Sequence, residues 1–410
     1  LIEKITFLVL FIYGISTPVS ISATNLSLGI ISLLFVYAVA KKRKIFYAPE
    51  GIPIIFLFFW RAISTFFYPI HSFKLGGKFW DHLPYFFIPN LSVKKTKTII
   101  YATLFTATLI SFMGILQAFF GFNYPFLPIQ PLLNGEFIGL NFGFRMHSGG
   151  YYSIIAVFSL VFFCFLKANW KEKIFLFFCS LLNILVVILA QARTYYVALG
   201  IIIPLVFLKK GIRWFISGSF LIIFAVLVLS KFYLGLEKRF VSILDTKKTV
   251  SNLERFWMWR TSLKIIKKYP FTGIGFENWQ EEVVKYWEKE KGEYPLAWTI
   301  AQLEKEGIEE KYILRPLQSH PHNSYLNVAV EDGLIGLTLF LLFWVGNLVQ
   351  AFRRAKKSPK GSLRYTLNLG VGFSLIMLLI GSFFEYNLST ARLLLPITFL
   401  MGLSYLAVEE

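Results

Sequence analysis

The chain has 410 residues, a net charge of +19 from 42 Lys/Arg against 23 Asp/Glu, and 56% hydrophobic residues, 45 of them Phe. Continuous apolar runs of spanning length recur along nearly the whole sequence, which indicates an all-α polytopic membrane protein rather than a soluble domain or a closed barrel of alternating strands. The positive-inside bias of membrane loops accounts for much of the charge without invoking nucleic acid, and the two cysteines, Cys164 and Cys179, sit in apolar runs and define neither a disulfide framework nor a metal site.

Spans are predicted near 5–23, 26–40, 51–68, 78–93, 98–120, 147–166, 174–191, 194–208, 213–231, 328–351, 365–384 and 389–407, twelve in all. The first follows Glu3 and Lys4 like a signal peptide, but so many spans follow it that it reads as an uncleaved helix. Basic clusters fall after every second span, at Lys41–Lys44, Lys94–Lys97, Lys167–Lys173, Lys209–Arg213 and Arg353–Arg364. Those ends are therefore expected in the cytoplasm, with both termini inside. The span at 78–93 fits least well, because it holds Asp81 and His82. Three regions result: helices one to nine over 1–231, a large outer loop over 232–321, and helices ten to twelve over 322–410. A smaller outer loop covers 121–146.

Arg61 lies mid-span in "IIFLFFWRAISTFF". An intramembrane cation needs a partner, and Glu385 or Asp81 is the expected neutraliser. Arg193, in "LAQARTYYVAL", falls where two spans meet with almost no loop, beside Tyr195 and Tyr196 at the outer surface. A snorkelling arginine in an aromatic belt is the plain explanation, though charge bias disfavours arginine at an outer end.

In the large loop, Lys238 to Lys268 carries nine Lys/Arg against Asp245 and Glu254, while acids dominate from Glu277 to Glu310. The stretch "SNLERFWMWRTSLKIIKKYP" has helical periodicity, with Ser251 or Asn252 as the cap and Pro270 as the stop. Phe256, Trp259, Leu263 and Ile266 form its apolar stripe, and Arg260, Lys264, Lys267 and Lys268 its wet face. Arg255 falls at the edge of the stripe and should point toward protein or membrane. A half-buried guanidinium needs an anion, either a phosphate or carboxylate ligand or a loop acid such as Glu254 or Glu277.

The run "QSHPHNSYLNVAVEDGLIGL" opens span ten. Eleven residues separate His322 from Gly333, three turns plus about 20° on ideal geometry, so His322, Ala329, Gly333 and Gly336 share a small-residue stripe. Glu331 and Asp332 place the hydrocarbon boundary near Gly333, or else face the bundle interior. Histidine is the usual general base near neutral pH, yet a lone histidine at a helix end is more often a cap or surface residue. Spacing does not choose between His320 and His322.

The pattern of His322, Asn323, nine further residues, then Gly333-x-x-Gly336 resembles the O-antigen ligase/polymerase superfamily. "RFWMWRTSLKIIKKYPFTGIGFENW" is similar to that family's Arg-Trp helix and Gly-x-Gly turn, and "AQARTYY" to its arginine at the start of a span. The resemblance implies a GT-C-type fold and metal-independent transfer of a glycan from undecaprenyl diphosphate, with no cofactor. In the ligases the acceptor is a lipid A–core sugar at the periplasmic face of a bacterial inner membrane. It implies that Arg193 and Arg255 bind the diphosphate and that His322 is the base. Arg145, His147, Asn323 and Arg260 are further substrate contacts on this likeness, and Arg315 a weaker one. A single dominant outer loop favours a ligase over an O-antigen polymerase. A lipid-linked glycan flippase or other transporter is the alternative of a different class, with Arg61 as its only support.

Overall fold

The structure, a computed structural model, describes residues 2–40, 49–64, 78–86, 91–120, 145–220, 250–289 and 319–405. Every regular element among them is helical. They are α1 (Ile2–Ser16), α2 (Ile21–Ala40), α3 (Ile52–Ser64), α4 (Val93–Phe120), α5 (Arg145–Phe165), α6 (Trp170–Leu189), α7 (Arg193–Lys210), α8 (212–220), α9 (Val250–Lys268), α10 (Trp279–Lys289), α11 (Ser324–Lys357), α12 (Leu363–Gly381) and α13 (Ala391–Tyr405). Six are long and apolar enough to cross a bilayer: α2, α4, α5, α6, α11 and α12.

Two predicted spans come out differently. The first divides, because α1 stops at Ser16 and the chain turns through Pro18, whose ring cannot continue a helix. The span at 78–93 is not one helix: Leu83–Tyr85 is a single 3-10 turn, and α4 begins only at Val93. The segment nonetheless follows the last helix. Lys78 Nζ donates to the Ser389 carbonyl, Thr398 Oγ1 donates to the Asp81 carbonyl at 3.2 Å, and Tyr85 Oη donates to Tyr405 Oη at 3.0 Å. Asp81 and His82 are buried there.

α5 and α12 are the most enclosed of the six, while α2 and α6 expose most of their surface. Tyr151, Tyr152, Phe158 and Phe162 of α5 pack into one continuous core with α7, α12 and α13. The bundle has two chemically distinct ends. At one, Lys95 pairs with Glu3 at 2.5 Å and Lys97 with Glu172 at 2.7 Å, near the starts of α1, α4 and α6. At the other, the 190–192 turn, the 382–390 loop and the start of α11 converge, and α9 and α10 dock onto them.

The docking rests on backbone chemistry. Gly333 breaks α11 with φ 68° and ψ −172°, which takes the surrounding peptides out of the i→i−4 ladder. The loop supplies replacements: Ile274 N–H donates to the Val330 carbonyl and Gly275 N–H to the Glu331 carbonyl, both at 2.9 Å, and Leu334 N–H donates to Pro270 O at 2.8 Å. Trp60 Nε1 closes the set on the Asp332 carbonyl at 2.9 Å. A Cβ on Gly333 would collide with the Phe271 carbonyl, and one on Gly273 with the Glu331 carbonyl. Only glycine permits two backbones to meet this closely. A second small core of Trp257, Met258, Ile265, Ile274, Trp279 and Val283 seals the loop helices onto Val330.

Arg61 does not pair with Glu385 or Asp81. It grips Asp332 just before the kink, with Nη2–Oδ2 at 2.6 Å and Nε–Oδ1 at 3.0 Å, and lies over the Phe276 ring at 4.4 Å. Glu331 and Asp332 therefore face the bundle interior, and both are buried.

Candidate functional site

The kink also changes the geometry of the opening motif. α11 begins at Ser324, so His322 precedes the helix and does not sit atop a small-residue stripe. Asn323 is the cap: its Oδ1 accepts from Tyr325 N at 3.0 Å and Leu326 N at 2.9 Å, while its Nδ2 donates to Phe383 O at 3.0 Å. Its amide holds the helix start in place, with one Nδ2 hydrogen directed at the Phe383 carbonyl. Ser324 ties the same point to the 382–390 loop, its N–H to Ser382 O at 2.9 Å and its hydroxyl to Glu385 O at 3.0 Å.

With the chain pinned on both sides, His322 adopts φ 50°, a left-handed conformation uncommon for a residue with a side chain and worth a functional question. Its Nδ1 lies 3.1 Å from Glu385 Oε2. A carboxylate accepts, so the hydrogen at this contact lies on Nδ1. The other oxygen of the same carboxylate, Glu385 Oε1, accepts from Arg255 Nη2 at 2.5 Å. Glu385 thus bridges the imidazole and the guanidinium. Sequence reading considered Glu385 only as a partner for Arg61; its position in the short loop between α12 and α13 gave no spacing signal.

His320 is separated from this role by its own bonds. His322 N–H donates to His320 Nδ1 at 3.3 Å, and the His320 ring stacks on Tyr386 with centroids 4.6 Å apart. Burial, with His322 and Lys78 nearby, pushes its pKa down to about 3. A neutral ring accepting at Nδ1 carries its hydrogen on Nε2, so it has no free lone pair for a substrate proton. Glu254 lies near both His322 and Arg255. Burial pushes its carboxyl above the ordinary range, opposed by the charges of His322 and Arg255.

Arg193 and Arg255 line one cleft of about 160 Å³, together with Thr194, Asn252, Phe256, Trp259 and Phe384. Arg193 is the first residue of α7, set by a sharp turn in which Gln191 has φ 53°. α5 closes on that turn, and a Cβ on Gly149 would lie 2.6 Å from the Ala192 Cβ. Trp259 Nε1 donates to Pro321 O at 2.9 Å, which fixes α9 against the His322 segment.

The face of α9 that packs on the protein is Trp257, Met258, Thr261, Ser262 and Ile265. The predicted stripe is split: Phe256 and Leu263 are exposed, whereas Trp259 is half-buried and Ile266 packs against the small core, and Phe256 forms a wall of the cleft. Ser251 and Asn252 lie inside α9 and do not cap it, whereas the helix does end two residues before Pro270. Arg255 takes neither loop acid as its ion-pair partner but Glu385 from the membrane bundle.

The remaining expectations divide. Arg260 is exposed on the outer face of α9 and does not line the cleft. His147 sits in the first turn of α5, with Nδ1 3.4 Å from Arg392 Nη1. Arg392, at the start of α13, had no sequence signal. The side chain of Arg145 and all of Arg315 lie outside the described residues. Among the described residues no group of three or more His, Cys, Asp or Glu side chains is arranged to hold a metal ion.

Residues 175–341 match the family model described as O-antigen ligase. A relative in Haemophilus influenzae, described as an uncharacterized protein, is 25% identical over 333 residues, covering 75% of this chain and 74% of that one. The matched segment contains Arg193, Arg255 and the whole run from His322 to Gly336, while Glu385 lies beyond it.

Proposed function

We propose that the protein is a membrane glycosyltransferase that moves a glycan from undecaprenyl diphosphate to a lipid A–core sugar hydroxyl, a reading supported by the match of residues 175–341 to the O-antigen ligase family model. The observation that carries this reading is the bonded chain His322–Glu385–Arg255, which ends in a cleft that Arg193 shares.

In the proposed reaction, the diphosphate of the donor lies against Arg193 and Arg255. The guanidinium forks suit phosphate oxygens, and Arg255 has donors beyond the one directed at Glu385. Phe256, Trp259 and Phe384 give the cleft apolar walls suited to the first part of a prenyl chain. His322 Nε2 takes the proton of the acceptor hydroxyl as that oxygen bonds to the anomeric carbon. The bond from that carbon to the diphosphate oxygen breaks, and its electron pair leaves with the diphosphate, where the two arginines offset the growing charge. Glu385 holds the imidazole in the required tautomer and stabilises the imidazolium that forms, the role a carboxylate plays behind a histidine base elsewhere. Arg392, held beside His147 at 3.4 Å, contributes positive potential at the same mouth.

The basic residues gathered at the opposite end support a cytoplasmic location for that end, and hence a periplasmic site in a bacterial inner membrane. The twelve-span count and GT-C-type organisation are part of the same proposal.

The test is reconstitution in proteoliposomes with an undecaprenyl-diphosphate glycan and two competing acceptors, lipid A–core and a second donor molecule. Extension of lipid A–core is the expected result. Extension of the second donor alone makes the protein a polymerase, and accumulation of donor in the opposite leaflet without any transfer makes it a transporter.

A further inference from the structure

At the end of the bundle away from the candidate site, α4 and α6 enclose a groove of about 680 Å³. Its lining is graded along the helices. At the rim stand Lys94, Lys97 and Lys171 against a single carboxylate, Glu172. Lys97 and Glu172 bridge the two helices at 2.7 Å, which leaves Lys94 and Lys171 as the surplus, both exposed. Neither is ion-paired with an acid among the described residues.

Deeper in the groove the lining becomes aromatic: Tyr101 stacks on Phe175 at 5.6 Å, and Phe105 follows one turn on. Lys94, Thr98, Tyr101 and Phe105 recur at helical spacing on one face of α4. From Lys94 to Phe105 the helix rises about 16 Å at 1.5 Å per residue, roughly half the hydrocarbon thickness. Trp170, exposed beside Lys171, sits at the level where aromatic side chains anchor a protein in the interface.

A cationic rim over an apolar, one-leaflet-deep trough matches a molecule that is anionic at one end and hydrocarbon at the other. We propose that this groove binds an anionic phospholipid of the leaflet opposite the candidate active site, with Lys94 and Lys171 on its phosphate and the chain beside Tyr101 and Phe105. A site of this kind is independent of the glycosyl-transfer reading. Basic pockets between membrane helices on that side are suited to such headgroups.

The test offers the purified full-length protein mixed vesicles of phosphatidylglycerol and phosphatidylcholine and counts retained lipids by native mass spectrometry. Wild-type protein should retain phosphatidylglycerol over phosphatidylcholine by about tenfold, and K94Q/K171Q should bring the ratio near parity. K209Q/K210Q, which removes the same charge elsewhere on the same side, should leave the ratio unchanged. Parity in the wild type, or equal loss in both double variants, overturns the site. Displacement of the lipid by millimolar inorganic phosphate makes it a free-phosphate site and overturns it as well. Unchanged melting temperatures in both double variants exclude unfolding as the cause of any loss.

Discussion

Two arginine–carboxylate pairs lie near the same end of this molecule and differ in what surrounds them. Arg61 and Asp332 are sealed, with side chains 6% and 0% exposed, and Phe276 covers the guanidinium. Arg255 and Glu385 have nearly the same bond, but Arg255 is 19% exposed and lines the cleft, and the carboxylate is shared with His322. The first pair joins a membrane helix to the kink on which the loop docks. The second has an open side where a charged ligand can enter. Burial alone marks neither as functional; access together with a carboxylate shared with His322 is what the proposed reaction draws on.

The sharpest way to break this contrast is at the histidines. His322→Ala should lower glycan transfer about a thousand-fold with an unchanged melting temperature, as expected for a general base. His320→Ala, removing a ring whose Nδ1 is already occupied, should cost far less; equal losses measured in proteoliposomes would move the base away from His322. The arginines come next. Arg255→Ala should reduce turnover about a hundred-fold in folded protein, because it removes a donor aimed at the developing charge. Arg61→Ala should instead reduce the yield of folded protein, since it strands a buried carboxylate at a cost of about 3–5 kcal/mol. Arg260→Ala should behave like wild type in both assays.

A smaller effect is expected at the docking contact. Gly333→Ala forces a Cβ into the Phe271 carbonyl at a positive φ, so the melting temperature should fall and protease should cut α9 and α10 faster. The smallest is a pH effect. His320 binds its proton near pH 3 when folded, against an ordinary value of 6.5, so between these values the unfolded chain holds more protons than the native one. Its contribution is complete above pH 6.5 and is lost as the pH falls toward 3. A plot of melting temperature against pH should therefore be shallower in His320→Gln than in the wild type over that window.

Much of this was legible in the sequence because it rests on local patterns. Apolar run length located most of the helices that the structure describes. Arg193 and Arg255 stood out by being at the wrong place on a belt and on a stripe, and the structure lines one cleft with both. What failed depended on backbone departures that periodicity cannot register. Ideal helical geometry was carried from His322 through Gly333, but the kink lies at Gly333 and the helix starts two residues after the histidine. Nor does the apolar stripe of α9 form one packed face, since Phe256 and Leu263 are exposed while Ile266 joins the small core. Glu385 and Arg392 were missed as site residues because they are brought in by the 382–390 loop and α13, far along the chain from the motif.

The central claim is a division of labour between two arginines that hold a diphosphate and a histidine that activates the acceptor. Its most direct test is equilibrium binding of an undecaprenyl-diphosphate glycan to nanodisc-embedded protein. H322A should bind within about twofold of wild type while failing to transfer, and R193A/R255A should lose affinity by tenfold or more, on the order of a charged donor pair. Loss of binding in H322A with affinity retained in R193A/R255A would contradict the account.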